Sequence, residues 1–225
     1  MSGIYALLPL KPASLAKSRL AALLDDAERA TLAALMARDV LGALRAALGI
    51  NGIVILASDE ASAALAREFG CSRWQDPPGA GLRASVQAGL DRLAAEGARG
   101  ALVVPADLPA LTGPDVDALL TAHRGGLSLV RATSDGGTNA LLLTPPDAVP
   151  CQFGPDSARR HLEAAAARGV HAASHAVAGF ARDLDTVDDV RWLCAQPCGG
   201  EARQFLLDCT IPARMARAGD ARRDA

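Results

Sequence analysis

The sequence predicts an α/β fold: a single domain of three layers, with a mostly parallel sheet and helices on both faces. Apolar runs of strand length (Ile4 to Leu10, Ile53 to Ala57, Ala101 to Val104) alternate with stretches at helical spacing along almost the whole chain. That alternation is the βαβ pattern of a parallel or mixed sheet covered on both sides. Half of the 225 residues are apolar, yet only 3% are aromatic. The core is therefore assembled from Ala, Leu and Val, which suits helices on a buried sheet. No linker or internal repeat divides the chain, and its length fits one full core.

In order, Ile4 to Leu10 reads as a buried first strand, closed by Pro9 and Pro12, and Lys11 to Leu20 as a polar loop. Asp25 or Asp26 is placed to cap a helix whose first turn holds Glu28, with Leu32, Leu35, Met36, Leu41, Leu44 and Leu48 on its apolar face. Asn51-Gly52 turns into a second strand, Ile53 to Ala57, and a helix runs from about Ala61 to Glu68, stopped by Gly70. Gly79 to Gly81 opens a helix that reaches Glu96; the central strand Ala101 to Val104 follows. Thr112, with Pro114 in the first turn, caps a helix to Ala122. Leu127 to Ala132 and Ala140 to Leu143 read as strands, Ser157 to Arg168 as a helix and His175 to Phe180 as a further strand. Thr186 and Asp189 cap a last helix to Ala195. The domain is expected to span residues 1–196. Residues 197–225 form a Gly-, Arg- and Asp-containing tail with no clear pattern, open to loose packing, association or disorder.

The net charge of −2 gives no global field for nucleic acid or a membrane surface, and positive charge is local, in Lys11, Lys17 and Arg19. The N-terminus has no basic region before its apolar run, which Pro9 and Lys11 interrupt, so neither a signal peptide nor a membrane span is expected. The five cysteines are odd in number, and Cys194 and Cys198 lack the second pair of a zinc site. A reducing, cytoplasmic compartment follows as the expectation.

Chemistry concentrates where a parallel sheet binds ligands, beyond the carboxyl ends of its strands. The turn Gly136, Gly137, Thr138, Asn139 lies on one side of an apolar run, and the turn Phe153, Gly154, Pro155, Asp156, Ser157 lies on the other, directly before a helix. Glycines admit close approach of a ligand, and N–H groups and hydroxyls at a helix start suit phosphate. Asp107 stands straight after the central strand, between Pro105 and Pro109. Asp183 and Asp185 alternate, which puts both side chains on one side of an extended segment. Three carboxylates from two segments are what magnesium requires when phosphates complete its shell. Each aspartate alone could equally cap a turn.

Lys11, Lys17 and Arg19 follow the first strand, where fixed positive charge would meet a triphosphate and a departing pyrophosphate; a solvated loop is the plainer alternative. The loop has neither the Walker pattern nor the GxGxxG fingerprint. Gly81, Leu82 and Ser85 could accept a nucleotide's base edge or ribose, or form only a tight loop. His161 lies on the helix that starts at Ser157, close to the phosphate-type turn, whereas His123, His171 and His175 have no consistent catalytic context. No GxSxG motif or Cys–His signature supports covalent hydrolysis.

With these residues in view, the chain resembles the guanylyltransferases of deazaflavin coenzyme biosynthesis, from the first strand to about Trp192. The resemblance rests on Pro9-Leu10-Lys11-Pro12 with Ala16-Lys17-Ser18-Arg19-Leu20, on Pro105-Ala106-Asp107-Leu108-Pro109 and on Gly137-Thr138-Asn139-Ala140-Leu141. Phe153-Gly154 with Ser157, His161, and Asp183-Leu184-Asp185-Thr186 complete the set. It implies a single-domain Rossmann-like nucleotidyltransferase fold, similar to that of molybdopterin nucleotidyltransferases, with GTP as donor and Mg2+ as cofactor. The acceptor it implies is a three-carbon phosphorylated acid: phospholactate, phosphoenolpyruvate or 3-phosphoglycerate. By matched motif, Asp107, Asp183 and Asp185 would hold the metal, and Thr138, Gly154 and Ser157 the acceptor. Arg83 departs from the pattern, standing where the family usually has Asn. A homodimer stays open. The competing readings are a molybdopterin-type nucleotidyltransferase, against which the segment Lys11 to Leu20 speaks, and a catalytically silent nucleotide-binding module.

Overall fold

The computed structural model describes residues 2–10, 17–76, 79–134, 136–197 and 199–220. Lys11, Pro12 and Ala16 lie outside them. One seven-stranded sheet organises the chain: β1 (Ile4–Pro9), β2 (Gly52–Leu56), β3 (Ser72–Trp74), β4 (Gly100–Val103), β5 (Gly126–Arg131), β6 (Thr138–Thr144) and β7 (Ala172–His175). Their spatial order is β3-β2-β1-β4-β6-β5-β7. Only β6 runs against its neighbours, pairing antiparallel with both β4 and β5. That reversal matters for the site: it delivers Thr138 and Asn139, at the start of β6, to the edge where β1 and β4 end.

The sheet buries both faces, as its continuous apolar strands require. Leu8, Ile55, Leu102, Val104 and Leu142 point to one side, where they meet Val40, Leu41, Leu44, Val116 and Leu119. These come from α1 (Asp26–Ala46) and α4 (Gly113–Ala122), and α2 (Glu60–Phe69) packs beside them. Leu7, Val54, Val103, Leu129 and Leu141 point to the other side. They meet Val86, Leu90 and Leu93 of α3 (Leu82–Ala95), and Ala158 and Ala165 of α5 (Ser157–Ala167). The helix starts follow the expected side chains. Asp25 with Glu28, Thr112 with Asp115 and Thr186 with Asp189 each form a reciprocal capping box, the last opening α6 (Val187–Ala195).

Two expectations need correction. The strand expected at His175 to Phe180 lies earlier, as β7; Ala178–Phe180 is instead one 3-10 turn that buries Phe180 in the core. The chain after Pro197 is not patternless: α7 (Glu201–Asp208) and α8 (Ile211–Asp220) follow. Ala202, Leu206 and Ile211 are fully buried against Leu32, Met36, Val190 and Leu193. The signal was hidden because the cap of α7 is remote. Asp39 of α1 accepts the N–H groups of Glu201 and Ala202 at 2.7 and 3.0 Å. Arg38 beside it bridges Glu201 and Glu68.

Candidate active site

A cavity of about 510 Å³ opens over the carboxyl ends of β1 and β4. Lys17, Arg19, Asp107, Asp183 and Asp185 line one part of it, and Gly137, Thr138, Asn139, Phe153, Gly154 and Ser157 another.

One backbone hydrogen bond joins the two segments that carry the carboxylates. Leu184 N–H donates to the Asp107 carbonyl at 3.0 Å. The Leu184 side chain is fully buried in the third apolar cluster, so alternation turns Asp183 and Asp185 the other way, toward Asp107. One oxygen from each of the three then lies within 4.8 Å of the others. Asp189 braces the segment from below: its Oδ2 accepts the N–H of Asp185 at 3.1 Å and of Thr186 at 2.7 Å. Such a donor set, all carboxylate oxygen and partly exposed, suits a hard divalent cation.

Lys17 occupies the same charge pocket. Its Nζ donates to Asp107 Oδ2 at 2.7 Å and to Asp185 Oδ1 at 2.6 Å, with the side chain only 7% exposed. Burial alone would lower its pKa, but Asp107 and Asp185 outweigh that and hold the ammonium above its ordinary value. Among the described residues Asp183 has no such cation. Burial first, then the charge of Asp107, pushes its carboxyl above the usual carboxylate range. Its nearest polar partners are Ser134 Oγ at 3.4 Å and Asn139 Nδ2 at 3.5 Å. Arg19 stands at the rim, 74% exposed and 4.0 Å from Asp185.

Another part of the lining, at Thr138 and Ser157, is neutral and buried. Ser157 Oγ donates to Thr138 Oγ1 at 2.9 Å, and His161 Nδ1 lies 3.3 Å from the same oxygen. Burial pushes the His161 imidazole down to about 4, so the ring is neutral near pH 7. Gly154 adopts φ 130, a conformation that L side chains rarely take, so this turn demands glycine. Asp156 makes no side-chain cap to α5, and the helix therefore presents its first turn to the cavity without one.

Of the three residues expected at the nucleotide, Leu82 lines the cavity. Gly81 caps α3, and Ser85 is buried, its hydroxyl donating to Asp76. Arg83 turns away to the Cys151 carbonyl, 2.9 Å from Nε. Lys11 lies outside the described residues. Ala33, to which the sequence assigns no role, and Met36 also form the wall. Met36 was legible only as one member of an apolar helix face, a signal that does not separate core from cavity.

The family described as "Guanylyl transferase CofC like" matches residues 4–225. The chain belongs to this family. A phosphoenolpyruvate guanylyltransferase of Rubrobacter xylanophilus is 41% identical over 83% of this chain and 91% of its own length. A 3-phospho-D-glycerate guanylyltransferase of Phenylobacterium zucineum is 37% identical over 86% of this chain and 90% of its own. Among solved structures, a protein of Desulfovibrio desulfuricans G20 described as a nucleotide-diphospho-sugar transferase superposes with a TM-score of 0.78. It covers 95% of this chain and 98% of its own at 16% identity, a likeness of fold. A nucleotidyl transferase of Methanothermobacter thermautotroptrophicus gives 0.61 at 14% identity, covering 92% and 99% of the two chains. The enzyme is thus a nucleotidyltransferase of the guanylyltransferase type, on the expected α/β scaffold. Among the described residues no helix is long and apolar enough to cross a membrane.

Proposed function

We propose that the protein transfers GMP from GTP to a three-carbon phosphorylated acid, phosphoenolpyruvate in the first instance, in the biosynthesis of the deazaflavin coenzyme. One observation carries the reading: a single cavity has a cation-demanding carboxylate group on one side and a neutral hydroxyl–glycine turn at a helix start on the other. The phosphoenolpyruvate relative, at 41% identity, supports that acceptor over the alternatives, phospholactate and 3-phosphoglycerate.

Thr138, Gly154 and Ser157 would hold the acid, and Leu82 with Gly81 and Ser85 would shape the nucleotide end. The acid's phosphate is ionised at neutral pH, so no strong base is needed. Its oxygen bonds to the α-phosphorus of GTP as the α–β bridging bond breaks, and pyrophosphate leaves with that electron pair. Asp107, Asp183 and Asp185 fit Mg2+ and would hold it; when bound, it neutralises charge on the phosphates. Lys17 and Arg19, with Lys11 ahead of them, would meet the phosphates and offset charge on the leaving group. The rate then comes from alignment and charge neutralisation.

The test is pyrophosphate release from GTP with Mg2+ and each acid in turn. Phosphoenolpyruvate should give the highest turnover, and chelation by EDTA should abolish it. Failure of every acid, with every nucleoside triphosphate, to release pyrophosphate would overturn the reading. A competition among the three acids then ranks them.

A further inference from the structure

Two side chains that do not line the cavity hold its acceptor-side wall from behind. The wall segment runs from Cys151 to Gly154, and its Phe153 and Gly154 face the cavity. From α3, Gln87 Oε1 accepts the Cys151 N–H at 2.7 Å. The Gln87 amide is itself oriented, since its Nε2 donates to Asp91 at 2.8 Å. From α5, His161 Nε2 accepts the Gln152 N–H at 2.9 Å. The imidazole also meets Phe153 edge-on, with ring centroids 5.2 Å apart and planes at 77°. Consecutive backbone donors of an irregular segment are thus satisfied by one side chain from each flanking helix.

The same imidazole reaches the hydroxyl pair. Because Nε2 accepts from a backbone N–H, the neutral ring carries its proton on Nδ1, which faces both Thr138 Oγ1 and the Ser157 backbone one turn earlier in α5. Thr138 and Ser157 share one hydrogen bond between two hydroxyls. One O–H proton is left to give outward, and the imidazole N–H, shared with the Ser157 backbone, lies behind it as a donor. An anion requires that polarity.

We propose that His161 and Gln87 are positioning residues for the phosphorylated acid, setting the Cys151–Gly154 wall and, through His161, making the Thr138–Ser157 pair a net donor. This rests on the reading above that Thr138, Gly154 and Ser157 take the acid.

Steady-state kinetics and calorimetric binding of phosphoenolpyruvate test it on the full chain. Gln87→Leu and His161→Leu should each raise the KM for phosphoenolpyruvate, and weaken its binding, by about tenfold, the loss of one hydrogen bond's positioning effect. The KM for GTP should stay within about twofold. His161→Gln keeps an oxygen to accept the Gln152 N–H and should recover most of that variant's loss. If His161→Leu fails to fold, the half-buried Gln87 carries the test alone. Equal changes in both KM values, or unchanged binding of the acid, would overturn the inference while leaving the functional reading intact. A wild-type protein that neither binds nor guanylylates any three-carbon acid would overturn both.

Discussion

In one part of the cavity three like charges converge within 4.8 Å and, among the described residues, one buried ammonium answers two of them. In another, Thr138, Ser157 and His161 carry no charge and are at most 6% exposed. The neutral cluster is held together within the fold, each member finding a partner among the other two. The acidic one is not: among the described residues Asp183 faces its neighbours' charge with weak amide and hydroxyl contacts at 3.4–3.5 Å. A folded chain keeps such a cluster only against its own electrostatics, and function is the usual reason. The acidic side waits for charge, whereas the neutral side is already shaped.

The largest effect should come from the acidic side. Asp107→Asn and Asp185→Asn keep side-chain size but remove charge facing the cation, and turnover should fall by roughly 10²–10³-fold. Each change also strips Lys17 of one carboxylate partner. Near-wild-type rates at saturating Mg2+ in both variants would reassign these residues to holding the loops together and erase the contrast.

Acid sensitivity should come from the neutral side. His161 titrates at about 4 in the fold, against an ordinary 6.5. The unfolded chain therefore binds the proton first, and the contribution is whole above pH 6.5 and lost as pH falls toward 4. The loss should approach about 3 kcal/mol, and His161→Gln should flatten it. Denaturant unfolding of both proteins from pH 4 to pH 7 reads this directly. Parallel curves would mean that the imidazole protonates without cost.

Legibility in the sequence followed the same divide between local and distant causes. The capping boxes at Asp25, Thr112 and Thr186 were readable because each joins residues three apart. Asp183 and Asp185 were readable because alternation is local, and Leu184 between them is what the fold anchors. The short edge strand Ser72–Trp74 has too few residues to show a period. The cap of α7 comes from Asp39, more than 160 positions earlier, and His161 joins residues of β6 and the following turn. Lys17 reads from sequence as a phosphate contact; its two carboxylate partners lie 90 and 168 positions away. None of these pairings leaves a spacing to find.

A smaller effect distinguishes the two hydroxyls from each other. Thr138→Val removes the oxygen at which Ser157 and His161 meet, and should raise the KM for the acid by about ten- to a hundredfold. Ser157→Ala should act in the same direction but less, since Thr138 keeps its imidazole contact. Both sites are buried, so melting temperatures must accompany the kinetics. A rise in the KM for GTP with none for the acid would place the two substrates the other way round.

The smallest effect separates the rim from the buried charges. Arg19 is 74% exposed and only 4.0 Å from Asp185, a pair that water and salt screen. Arg19→Ala should therefore change folding stability by less than about 0.5 kcal/mol. Its effect should appear only with nucleotide present, as a raised KM for GTP that shrinks as ionic strength increases. Lys17, 7% exposed between two carboxylates, should behave in the opposite way. Lys17→Met leaves the carboxylates unanswered and should lower the melting temperature of the free protein even at high salt. Equal salt sensitivity in the two variants would show that both cations act as surface charge, and the distinction between rim and buried pocket would fall.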